Sequence, residues 1–107
     1  MTASTSDYEN IAEIASEDVR VLALKGASYG DSWKKRGGVG AFMMLARKWD
    51  RIELIVGQHG YDIFEAGKAN TGDVLDDIAD LRRFLLLVED ELSTYQQLVA
   101  GQAYVNQ

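Results

Sequence analysis

Two groups of carboxylates carry the strongest chemical signal in this chain. Asp50 and Glu53 stand three apart in DRIE, and Asp73, Asp76, Asp77 and Asp80 follow at steps of three and four in DVLDDIAD. At about 100° per residue such steps put acids on one helix face, within a turn of each other, where like charges destabilise the helix. A divalent cation relieves that repulsion: Mg²⁺ takes oxygen ligands from a few carboxylates and leaves other positions to water and phosphate. The same aspartates also suit a solvated acidic face near a helix N-terminus, where the dipole favours them. Glu53 follows Trp49, Ala46 and Phe42 by one, two and three turns. It is therefore expected at the inner edge of an apolar face, where a carboxylate needs a metal, a hydrogen-bond donor or an Arg or Lys from a neighbouring helix. Two helices that each offer acids three apart favour the metal.

Cationic and aromatic residues complement the acids. Lys34, Lys35 and Arg36 precede Gly37 and Gly38, where a second helix begins. A helix N-terminus with glycines lets backbone N–H groups approach a phosphate, although the same run fits a solvated basic loop. Arg47, Lys48 and Arg51 add charge within that helix, and no G-x-x-x-x-G-K-[ST] loop occurs. Lys25 shares a stripe with Asp18 two turns away, as a buried pair or a phosphate contact. Tyr29 and Trp33 are candidates to stack on a base, while Trp49 is expected in the core. The run from Phe84 to Val88 reads as core or subunit interface.

These side chains must be held by helices. With no proline and ten glycines, glycine punctuates the chain and leaves three long stretches with helical spacing. The first spans about Asp7 to Ala27, capped by Ser6, with Ile11, Ile14, Ala15 and Leu22 recurring. The second spans about Val39 to Val56, with Leu45, Trp49, Ile52 and Val56 on one face. The third spans about Thr71 to Val99, with Thr71 as N-cap and Val74, Ile78, Leu81, Leu85, Val88 and Leu92 in steps of three and four. Period-two apolar runs are lacking, so the expectation is an all-α bundle of three to four helices. A single domain over 1–107 follows, with 1–6 and 101–107 as flexible tails and the loop from Gly57 to Asn70 as a lid or arm. The apolar surface is wider than one small bundle hides, which points to a homodimer or homotetramer.

Composition excludes several function classes. The chain has 107 residues, too few for a multidomain enzyme, and its net charge of −6 opposes direct nucleic-acid binding. Without cysteine there is no thiol nucleophile or zinc–thiolate site, and one histidine excludes multi-histidine metal sites. The polar, acidic start and the lack of a long apolar run predict a soluble cytoplasmic protein with no membrane partner.

The acid pairs DRIE and DIAD resemble the E-x-x-E and E-x-x-D elements of the MazG-like all-α NTP pyrophosphohydrolases, with Asp in place of Glu at two positions. The stretch YGDSWKKRGGVGAFMMLARKWDRIE, from Tyr29 to Glu53, resembles more closely the nucleotide-modification-associated domain of phage and bacterial proteins. The resemblance covers about Lys25 to Val88. It implies a MazG-like helical oligomer that binds a (deoxy)nucleoside triphosphate over Mg²⁺, or Mn²⁺ as an alternative, and splits it to monophosphate and pyrophosphate in phage nucleotide metabolism. By that resemblance Asp50, Glu53, Asp77 and Asp80 are metal ligands, with Glu53, Asp77 and Asp80 acting in catalysis and Asp73 or Asp76 as substitutes. Lys25, Trp33, Lys34, Lys35, Arg36 and Lys48 are then the candidate substrate contacts. Aspartate is one methylene shorter than glutamate, so a noncatalytic module that sequesters a nucleotide stands beside the enzyme; a third reading is a structural interaction bundle, with the acids as a solvated face and the apolar excess as an oligomer interface.

Overall fold

The computed structural model describes the backbone of residues 4–29 and 31–105 and the side chains of 4–26 and 31–101. Regular structure among the described residues is entirely helical: α1 (Glu9–Tyr29), α2 (Gly37–Gly57), α3 (Ile63–Ala69) and α4 (Thr71–Val105). The chain forms two compact units, residues 1–35 and residues 36–107.

The first unit holds α1 between two 3₁₀ turns, Thr5–Tyr8 and Ser32–Lys34. Ser4, not Ser6, is the cap. Its hydroxyl accepts from the Ser6 N–H while Asp7 returns a bond to the Ser4 N–H, so the first turn's free donors are satisfied reciprocally. The expected apolar stripe of α1 is largely uncovered, since Ile11 and Ile14 are exposed and Leu22 is half-buried. Among the described residues of α1, Asp18 is the buried side chain.

The second unit is built on α2 and α4. Arg51 meets Asp77, and Lys48 lies over the Phe84 ring, so rising numbers on α4 meet falling numbers on α2 and the two helices run antiparallel. The face of α2 in the core carries Ala41, Leu45, Lys48, Ile52 and Ile55, at alternating steps of four and three; Ala41 and Ile52 are buried and the others half-buried. Lys48 joins that face because its aliphatic stem covers apolar surface while the ammonium reaches the ring, 5.8 Å from its centroid. On α4 the complementary stripe is Val74, Asp77, Leu81, Phe84 and Val88. Burial of a ring such as Phe84 contributes about 1.5–3 kcal/mol.

The segment read as a lid or arm contains a helix. α2 ends where the N–H groups of His59 and Tyr61 both bond the Val56 carbonyl. Gly60 and Tyr61 take φ of 64° and 62°, a left-handed conformation that reverses the chain. Asp62 then caps α3, its Oδ1 accepting from the N–H of Phe64 and Glu65. Ala66, fully buried, lets α3 sit close in the unit. Thr71 is the first residue of α4 rather than its cap: its hydroxyl donates back to the Gly67 carbonyl, and the Asn70 carbonyl accepts from Val74. α4 also continues six residues past the expected Val99, through 101–105, to Val105.

Candidate functional site

Asp77 is the buried acid of the α2–α4 pair. It sits in the first turns of α4 because the stripe Val74–Asp77–Leu81 is the one turned toward α2, so an aspartate at that step is carried inward with its apolar neighbours. Its Oδ1 lies 3.3 Å from Nε of Arg51, whose side chain is otherwise exposed. A carboxylate 6% exposed needs such a partner, since burial without one is costly. Asp77 and Arg51 line a groove of about 350 Å³ together with Asp73, Asp76, Leu54 and Ile55. Asp73 and Asp76 are exposed on its rim, and Asp80, one turn on, is half-buried.

Leu54 also lines a second groove, of about 470 Å³, with Asp50, Glu53, Gly57, Gln58 and Tyr61. Here the expectation of an inward Glu53 is corrected. Glu53 is exposed, and its Oε2 accepts from the Trp49 indole N–H at 3.1 Å; Trp49, expected in the core, is itself 55% exposed. Both belong to the face of α2 one residue round from Ala41, Leu45, Ile52 and Ile55, and that face points to solvent. Tyr61 reaches the groove because its ring packs over Gly57, where a side chain's Cβ would lie 3.4 Å from the ring.

Of the four acids expected as one ligand set, Asp50 and Glu53 line one groove and Asp77 the other, while Asp80 lines neither. Among the described residues no three carboxylate or imidazole groups converge as a cation cage. The donors on offer are nevertheless all carboxylate oxygens, the ligands Mg²⁺ prefers. Mg²⁺ commonly uses one or two protein carboxylates and completes its shell with water and substrate phosphate. The donor chemistry of the Asp73–Asp77 groove therefore fits a hydrated divalent cation.

The expected substrate contacts are distributed. Lys25 is exposed and Asp18 is buried. Trp33 and Lys34 are half-buried, with the Lys34 ammonium 5.9 Å from the Trp33 ring centroid and 4.0 Å from Asp31. Lys35 and Arg36 are exposed. Lys48 directs its charge at Phe84, as above. The Tyr29 side chain, read as a base-stacking candidate, and Gly30 of the same motif lie outside the described residues. Arg51 and Tyr61 are among the lining residues that the sequence does not single out. Arg51 reads from sequence only as extra charge on α2, and Tyr61 is signalled only by Gly60 before it. Comparison of the chain with models of known families, with curated proteins and with solved structures gives no match.

Proposed function

We propose that this all-α protein is a Mg²⁺-dependent (deoxy)nucleoside triphosphate pyrophosphohydrolase, releasing monophosphate and pyrophosphate. The observation that carries the reading is the groove lined by Asp73, Asp76 and Asp77 of α4 and by Arg51 of α2, whose guanidinium meets Asp77. Carboxylates hold a hydrated divalent cation, and a guanidinium is suited to phosphate oxygens. Asp73 and Asp77, one turn apart on α4, are the residues that would share the cation, with Asp76 beside them. Bound there, Mg²⁺ would supply charge stabilisation at the phosphoryl oxygens and acidify a coordinated water. Arg51, whose side chain is largely exposed, would be the group to pair with the triphosphate oxygens. Asp50 and Glu53, which the resemblance to the MazG-like enzymes makes metal ligands, line the neighbouring groove across Leu54.

One observation favours the second reading, a nucleotide-binding module without turnover. Asp77 is already neutralised by Arg51, and its short side chain leaves the DRIE acids in a separate groove. The two readings part on one assay. The purified protein is incubated with each common NTP and dNTP plus Mg²⁺, with an EDTA control, and monophosphate and pyrophosphate are followed by chromatography. Metal-dependent release supports the enzyme. Calorimetric binding without release supports the module. Silence in both removes the nucleotide reading.

A further inference from the structure

The groove beside Asp50 and Glu53 differs in kind from the one beside Asp77. Arg51 lines the Asp77 groove, whereas among the described residues no lysine, arginine or histidine lines the other. Leu54 lines both, so one side chain separates them. The wall of the Asp50 groove is aromatic. Tyr61 holds a φ of 62°, which a bulky residue rarely takes, and Gly57 leaves room for the edge of its ring. Tyr61 is 73% exposed, so most of the ring stays open to a ligand. The polar groups around it are open as well. The Asp50 carboxylate, the Gln58 amide and the Tyr61 hydroxyl make no hydrogen bond or ion pair among the described residues. Glu53 is tied to the Trp49 indole through Oε2.

We propose that this groove takes the base of the nucleotide whose phosphates lie beside Arg51, and that the base is guanine. The inference rests on the nucleotide reading above and adds to it the identity of the substrate. Charge sets the orientation: a triphosphate is repelled by Asp50 and Glu53 and attracted by Arg51, so the uncharged end of the nucleotide belongs in the Asp50 groove. The ring of Tyr61 offers that end a stacking face, which any base accepts. Selection therefore falls to the hydrogen-bonding groups. A carboxylate only accepts, and its two oxygens match two adjacent N–H donors. Guanine carries such a pair on one edge, N1–H and the 2-amino group. Adenine and cytosine set a single amino group beside a ring nitrogen that is itself an acceptor, and uracil sets one N–H between two carbonyls, so each brings lone pairs against the carboxylate. Asp50, with both oxygens open, is the acceptor for the guanine pair. Guanine O6, next to that pair, calls for a donor, and the Gln58 amide is the lining group able to supply one.

Calorimetric titration with the Mg²⁺ complexes of GTP, ITP, ATP, CTP and UTP tests the inference. GTP is expected to bind roughly tenfold or more tightly than each of the others. ITP, which lacks only the 2-amino group, should fall with the rest. Asp50→Asn turns one acceptor into a donor on an exposed side chain, and should erase the GTP preference while ATP binds as it does to the wild type. Tyr61→Gly keeps the left-handed turn, because glycine takes that φ freely, and should weaken every nucleotide by roughly tenfold. Equal affinities across the panel overturn the base site and leave the nucleotide reading in place. So does Asp50→Asn weakening all five alike, as loss of a metal ligand would. Binding of none of the five removes the nucleotide reading. Guanosine titrated without Mg²⁺ then decides the base site alone: binding that inosine does not share and that Asp50→Asn abolishes upholds it, and silence overturns it.

Discussion

The Arg51 guanidinium and the Asp77 carboxylate meet at 3.3 Å across α2 and α4, one side chain 72% exposed and the other 7%. The asymmetry decides what each contributes. Arg51 gives up little hydration to make the pair, whereas Asp77 has been taken out of water by the stripe it belongs to. The pair itself, at such a boundary, is worth about 1 kcal/mol or less. The larger quantity is what Asp77 would cost alone.

Arg51→Ala should therefore destabilise the fold by about 1–3 kcal/mol, the cost of a buried acceptor left without its donor. Asp77→Asn should cost less, because a neutral amide needs no countercharge and Arg51 returns to solvent. Urea unfolding of the two variants checks the order. Greater loss from Asp77→Asn would mean that Arg51 is not what holds this carboxylate.

Trp49 reports on the DRIE groove. Its indole N–H donates to Glu53, so a cation–nucleotide complex that draws on Glu53 must disturb that bond. In a Trp33→Phe background, where Trp49 is the remaining tryptophan, Mg²⁺ with a bound nucleotide should shift the emission. EDTA should reverse the shift, and Glu53→Gln should reduce it. An unchanged spectrum at saturation would take Glu53 out of the site and leave the Asp77 groove standing by itself.

The helices themselves were legible because apolar steps of three and four run for many turns, and Gly and polar clusters bound them. Which face of α2 turns inward was not. Leu45, Trp49, Ile52 and Val56 looked like the core stripe, but the face used is Ala41, Leu45, Lys48, Ile52 and Ile55. Lys48 hid it, since a lysine whose stem covers apolar surface reads as an exposed charge. That shift of one residue turns Trp49 and Glu53 outward. On α4 the spacing of the aspartates was plain, yet sequence gave no means to choose which of the four is carried inside. α3 escaped notice because seven residues hold too few apolar steps to establish a period. The available signal was its cap, Asp62 followed three residues later by Glu65.

That cap should matter out of proportion to the helix. Seven residues lie well below the length at which a helix holds itself, so α3 depends on Asp62 and on the burial of Ala66. Asp62→Ala removes the acceptor for two N–H groups and should cost about 1 kcal/mol, with Asp62→Ser recovering most of it. For a unit of this size the loss should appear as a melting point about 4–8 °C lower. No change in the melting point would mean that packing alone holds α3.

Glycine to alanine should have opposite effects at two positions. Gly60 sits at φ 64°, directly before Tyr61 in the same left-handed region, and turns α2 into α3. Nothing lies within 4 Å of a Cβ built there, so the cost of Gly60→Ala is backbone strain alone, about 1 kcal/mol or more. Gly26 is a helical residue within α1, and a Cβ there also meets nothing within 4 Å. Gly26→Ala lowers the entropy of the unfolded chain and favours helix, so it should stabilise α1 by about 0.5–1 kcal/mol. Thermal melts followed by circular dichroism measure both. A loss of stability from Gly26→Ala would mean that another surface approaches that face of α1 closely. A neutral Gly60→Ala would mean that the turn after α2 can form without the left-handed pair Gly60–Tyr61.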